Sequence, residues 1–216
     1  RTDIARYMES EIHIAIANNH GVSAQFRKNL CGGFIDAIAE ENGNAESGFG
    51  MSFALRYPDF HPDQVGTQAG EEAAAFLGAE PIPTGKYRVL LHPIAAVAFL
   101  DFLAHALSGE AVLKKKSPFV GKLGQKIGST GLSLVDDPAL PDGLGSQSFD
   151  AEGIMTKKMV LIQNGILQNF FHNTRSASES KTKSTGHASR SGYKSPPGIG
   201  PSNFFIPAGK NSRMDM

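Results

Sequence analysis

Met159-Val160-Leu161-Ile162-Gln163-Asn164-Gly165-Ile166-Leu167-Gln168-Asn169-Phe170-Phe171 is the stretch that decides the fold class. Two β-prone runs flank Asn164-Gly165, a pair suited to the tight turn in which both central residues take positive φ. A hairpin here makes its sheet antiparallel. Working outward, Leu132–Val135 reads as a short strand ending at Asp136-Asp137-Pro138, a turn signal, and Ser202–Pro207 as another strand. Between the hairpin and that last strand, residues 173–199 are polar and aperiodic, a length of loop that is usually functional or mobile.

Upstream, Tyr87–Leu91 reads as a strand running into a helix over Pro93–Leu107, with Pro93 at the first helical position. Apolar residues at 94, 97, 98, 100, 103, 104 and 107 surround most of this helix and predict that it is buried. The glycines at 121, 124, 128 and 131 lack the G-x-x-x-x-G-K-[ST] pattern of a phosphate cradle, so this run reads as loop or short helix. The first third reads as a β-meander: Ile12–Ala17, Val22–Arg27, Gly33–Glu40 and Gly48–Tyr57, with Glu41–Ser47 as a polar loop. A helix over Asp63–Leu77 follows, closed by Gly78. The expected class is α+β, with antiparallel sheets, a few packed helices and a barrel-like C-terminal domain. The expected division is 1–80 and 81–216.

The 216 residues give ample material for a core, and their apolar and charged fractions, 40% and 19%, are those of an ordinary globular protein. The longest apolar run, Ile94–Leu100, is far short of the roughly 20 residues of a membrane span. No secretory signal opens the chain, and a single cysteine, Cys31, suits a reducing compartment; the expected location is cytoplasmic. The net charge of zero conceals an asymmetry: from Lys157 onward nine Lys/Arg face two acids, a balance of +7. No nucleic-acid-binding motif accompanies that charge, so it reads as a solvated Ser/Lys-rich loop.

The junction at His92 has the outline of a helical zinc site without its chemistry. Such a site needs a second histidine a turn later and a glutamate base. Here Pro93 follows His92, and Ala96 and Val97 occupy the next turn; none can bind zinc or take a proton. Asp101 and His105, spaced i, i+4, read as a hydrogen-bonded pair at a helix surface. His172, Glu179 and His187 share the long loop and read as solvated. Cys31 has no basic neighbours to activate it, and no serine lies in G-x-S-x-G. A reading that keeps catalysis in this chain would rest on Asp101, His105 and His187.

Residues 86–209 resemble the TldD/PmbA family, also called modulators of DNA gyrase. The resemblance is carried by Gly85-Lys86-Tyr87-Arg88-Val89-Leu90-Leu91-His92-Pro93, Ser117-Pro118-Phe119, Val135-Asp136-Asp137-Pro138, Asp150-Ala151-Glu152-Gly153 and the Leu161–Leu167 hairpin. Thr185-Gly186-His187-Ala188-Ser189-Arg190 and Pro201-Ser202-Asn203-Phe204 follow in family order. One branch of the family carries His-Glu-x-x-x-His and a later cysteine as a zinc site. This chain resembles the other, PmbA (TldE) branch, with Pro93 at the glutamate position and Val97 at the second histidine. The resemblance implies no catalytic residue and no zinc ligand here, with zinc in a TldD-like partner. It also implies a heterodimer around a chamber where extended peptides are cut, in peptide maturation or antitoxin degradation. His92, Lys114, Lys115, Lys116, His187 and Arg190 are the candidate chamber-lining residues. The resemblance marks the chain as an excerpt of a longer protein, with Arg213-Met214-Asp215-Met216 forming no final packed element. The alternative is a non-proteolytic binding protein that modulates gyrase or another partner.

Overall fold

A computed structural model describes residues 1–209; the Arg213–Met216 end lies outside the described residues. Two compact units are formed, one by residues 1–14 and 27–89, the other by 15–26 together with the chain from 90 onward.

The first unit holds most of strands β1 (Thr2–Ala17) and β2 (Ser23–Glu41) and all of β3 (Asn44–Ala54), which lie in that order. The meander is therefore three strands, not four. Val22–Arg27 and Gly33–Glu40, read separately, belong to one continuous 19-residue strand apart from Val22. The polar loop expected over Glu41–Ser47 shrinks to a two-residue turn. Glu41 pairs with Asn44, and Asn42 and Gly43 take φ of 50° and 82°.

Helix α1 (Pro62–Phe76) lies on β3 through Val65, Ala69 and Ala73, one face at i, i+4, i+8. Gly48 and Gly50 permit this approach. A Cβ on Gly48 would lie 2.2 Å from Ala69 O, and one on Gly50 2.1 Å from Val65 O. The contact is thus helix backbone on strand backbone, and the Glu72 carboxylate accepts from Phe49 N–H at 2.7 Å.

In the second unit, helices α2 (Pro93–Ala106) and α3 (Gly109–Leu113) precede strands β4 (Leu134–Asp136), β5 (Met159–Gln163) and β6 (Ile166–Leu167). Helix α4 (Thr174–Glu179) and the short strands β7 (Ala188–Ser189), β8 (Gly198–Ile199) and β9 (Phe204–Phe205) follow. The Asn164-Gly165 hairpin forms as read, with φ of 50° and 79°. The glycine-rich run wraps it: Gly124 N–H donates to Leu167 O, and Ile127 N–H to Gly165 O. The sheet order is β6-β5-β4-β9, open at both ends, so the expected barrel is not closed among the described residues. The core gathers Ala104, Leu107, Leu134, Leu161, Ile162, Leu167 and Phe171.

Two expectations fail. Tyr87–Leu91 is exposed and unpaired rather than a strand; its residues have β-prone side chains but no neighbouring strand to complete a ladder. Helix α2 is not buried all round. Leu100, Leu103 and Ala104 face the core, while Val97, Phe99 and Phe102 are 51%, 61% and 73% exposed.

Candidate functional site

A buried polar lattice anchors residues 173–199 at Asn173, Ser176 and His187, although more than half of the stretch is exposed, and it corrects the solvated reading of His172 and His187. Both are buried, 8% and 3% exposed. Asp136 is fully buried. It accepts from Ser202 N–H at 2.8 Å and Ser202 Oγ at 2.6 Å, and its Oδ2 lies 3.2 Å from His187 Nε2. A carboxylate only accepts, so His187 Nε2 carries the proton in this bond. On the other side, His187 Nδ1 lies 2.9 Å from Thr185 Oγ1, which also accepts from His172 N–H at 2.8 Å. Burial, assisted by the nearby His187, holds His172 below its ordinary pKa. Asp136, which sequence placed at a turn, is instead the anchor that joins β4 to His187 and Ser202.

The other motifs lock in the same way. Asp150 accepts from Glu152 N–H, Ile154 N–H and Ala188 N–H. Glu152 accepts from both Thr174 N–H and Thr174 Oγ at the start of α4. Gly153, at φ +80°, sits where a Cβ would meet Val22 Cγ1 at 2.5 Å. Asn203 donates to Asp137 O and accepts from Gly145 N–H. Loops of low hydrophobicity are thus tied down by hydrogen bonds rather than by apolar burial.

This lattice backs a cleft of about 530 Å³ between the second half of α2, α3 and residues 199–201. Lys114 and Lys116 line it; Lys115, the third lysine, takes φ +55° and does not. Glu110 pairs with Lys114. The hydrogen bond from Lys114 holds the Glu110 carboxyl below its ordinary value against a smaller effect of burial, and the charges of Lys114 and Arg175 add to the lowering. Of the other candidates, His92 is exposed at the start of α2, His187 lies inside the lattice, and Arg190 is exposed, donating to Ser195 O and Ala151 O. The structure therefore gathers Lys114 and Lys116 but not the rest.

Asp101 and His105 line this same cleft, joined through His105 Nδ1 and the Asp101 carbonyl oxygen, 3.0 Å apart. His187 does not reach them, so the three do not form one constellation. Sequence reasoning missed Phe102, Glu110, Pro118 and Ile199 as lining residues. No local pattern signals them: Phe102, exposed in the structure, belongs to a helix whose apolar ring reads as buried.

The residues around His92 do not fit zinc. Its backbone is extended at φ −60°, ψ 145°, and Pro93 and Val97 offer no ligand atoms. Among the described residues, no group of three or more His, Cys, Asp or Glu side chains is placed to hold a metal ion. None of their helices is long and apolar enough to cross a membrane.

Residues 84–216 match the model of the PmbA/TldA metallopeptidase C-terminal domain, and residues 2–77 match that of its central domain. The chain belongs to the PmbA/TldD metallopeptidase family. A metalloprotease of Methanocaldococcus jannaschii is 31% identical over 179 residues, which covers 82% of this chain and 40% of that protein. The metalloprotease PmbA of Escherichia coli O157:H7 is 31% identical over 152 residues, covering 70% of this chain and 34% of that protein. The crystal structure of a Thermotoga maritima protein, described as a candidate modulator of a DNA gyrase, superposes with a TM-score of 0.91 at 32% identity. It covers 98% of this chain and 48% of that one. The chain thus spans less than half the length of each of these relatives.

Proposed function

We propose that this chain is part of a zinc-free, PmbA-like subunit of a heteromeric metallopeptidase of the TldD/TldE type. A TldD-like partner supplies the zinc and cuts peptide or small-protein substrates. The observation that carries this reading is the start of α2, where His92 is followed by Pro93 and, a turn later, by Val97. A peptidase zinc needs three protein ligands and an open position, and this helix end offers one imidazole. The chain's own contribution is then to hold substrate: the α2–α3 cleft, braced by the Asp136–His187 lattice, presents Lys114 and Lys116 beside the apolar Phe102 and Pro118.

The test is peptide cleavage by the full-length protein, alone and mixed with its TldD-like partner, with zinc measured in each. Activity only in the mixture, with zinc in the partner, is the expected result. Cleavage or stoichiometric zinc in the solitary protein would overturn the reading.

A second reading, non-proteolytic binding to gyrase or its DNA, draws on the description of the Thermotoga relative and on the +7 balance from Lys157 onward. It requires DNA affinity that falls steeply with salt.

A further inference from the structure

The 530 Å³ cleft has a neighbour of about 270 Å³, and the two share a wall. Ile199, Gly200 and Pro201 line the first, while Pro196, Pro197 and Gly198 line the second, so six consecutive residues run along both. Glu110 and Lys114 also line both, which places their ion pair at the boundary. A six-residue extended chain spans about 20 Å.

Among the described residues, the backbone of this wall is open at Ile199. Gly200 N–H donates to His187 O at 3.0 Å, in register with Ala188 opposite Ile199. In an antiparallel ladder that pattern leaves Ala188 and Ile199 facing each other without bonds of their own. The Ile199 N–H and C=O therefore point away from β7. Two residues earlier the chain meets the same need internally, with an amide: Asn173 Nδ2 donates to Pro197 O and Gly198 O, both at 3.3 Å. Pro196, Pro197 and Pro201 carry no N–H, so the wall offers a single register for a partner strand. Beside Ile199, Phe102, Ala106 and Pro118 give an apolar floor for one side chain.

We propose that the two clefts are halves of one groove for an extended peptide segment of about six residues, paired through the Ile199 N–H and C=O, with the Glu110–Lys114 ion pair as a removable bar across it. The proposal rests on the peptide-handling reading above and gives it a binding site outside any zinc centre. A peptide filling both halves displaces the bar. The intrinsic cost of that displacement is small, because both partners are solvent-exposed at their outer faces.

The experiment is direct binding, without cleavage, of fluorescein-Gly-Leu-Ala-Leu-Ser-Gly to the full-length protein in the absence of any partner subunit. Fluorescence anisotropy reads the affinity. Replacing single amides of the probe by esters should weaken binding about tenfold at one central position and leave the terminal positions unchanged, the loss of about 1.4 kcal/mol for one ladder contact. Ile199→Pro should weaken it similarly, and Glu110→Gln should strengthen it severalfold. If Ile199→Pro disturbs the circular dichroism spectrum, the ester series on the unaltered protein decides alone. No binding at millimolar peptide, or binding indifferent to every ester, overturns the groove. Unchanged or weaker binding by Glu110→Gln overturns the bar. None of these outcomes depends on zinc or on a partner, so failure here is distinct from failure of the subunit reading.

Discussion

Replacing Asp136 tests whether the polar lattice holds the loop that forms the cleft. The carboxylate accepts three hydrogen bonds, from Ser202 N–H, Ser202 Oγ–H and His187 Nε2–H, with no exposure to water. Asp136→Ala leaves all three donors without an acceptor, with His187 buried and Ser202 half-buried. At about 1–3 kcal/mol for each orphaned group, less what Ser202 recovers by rotating its hydroxyl, the loss is roughly 3–6 kcal/mol. That is a large part of the roughly 5–15 kcal/mol that holds a domain folded. Asp136→Asn keeps the shape and one acceptor for Ser202 N–H. It turns an NH₂ toward His187, which must move its proton to Nδ1 and share it with Thr185 Oγ1. The cost falls to roughly 1–3 kcal/mol. With a urea slope of about 2 kcal/mol/M, the unfolding midpoint drops by about 1 M for Asn and by 1.5 M or more for Ala. Urea titration followed by circular dichroism measures both. A midpoint for Asp136→Ala within about 0.3 M of the unaltered protein would refute the claim that these bonds matter to stability.

Three further outcomes are expected. Gly50→Ala forces α1 off β3 and should cost about 3 kcal/mol, whereas Gly70→Ala, whose added methyl meets nothing within 4 Å on the same helix, should gain about 0.5–1 kcal/mol; thermal melts of the two must move in opposite directions. Gly153→Ala combines a positive φ with a clash against Val22, so it should destabilise by about 2 kcal/mol or more, and the pair Gly153→Ala with Val22→Ala should be less than additive in a double-mutant cycle. His172 is held below its ordinary pKa of about 6.5, so the unfolded chain takes up a proton that the folded protein refuses. Its stability contribution is fully present above about pH 6.5 and is lost as pH falls from there through the lower folded value; His172→Gln should flatten that slope in urea titrations run from pH 7.5 to 5.

The features legible in the sequence are those whose cause is local. Asn164-Gly165 demands a tight turn wherever it occurs between β-prone runs, and Pro93 starts a helix because its missing N–H costs nothing there; Pro62 does the same for α1, although it read as a strand stop with the helix beginning at Asp63. The Asn42-Gly43 turn carried the same signal, hidden inside a polar segment that read as a longer loop. The features missed depend on distant partners. Tyr87–Leu91 has the composition of a strand, but a strand needs a neighbour, which no local pattern supplies. Asp136 and His187 are 51 residues apart, and nothing near either one announces a buried bond. The apolar ring around α2 predicted burial, although hydrophobicity states only what a helix would cover if something lay against it.

The ribbon of β1 and β2 has its base in one unit and its turn, residues 15–26, in the other. The polypeptide consequently passes between the units three times, after Ile14, after Phe26 and after Val89. A cut in the exposed stretch around Ile82 leaves two chains, and the N-terminal one still carries residues 15–26 of the second unit. The gap between residues 77 and 84, where the two family matches part, is a boundary in sequence only. The second unit includes residues 15–26 from one side of that gap, and the first includes residues 84–89 from the other.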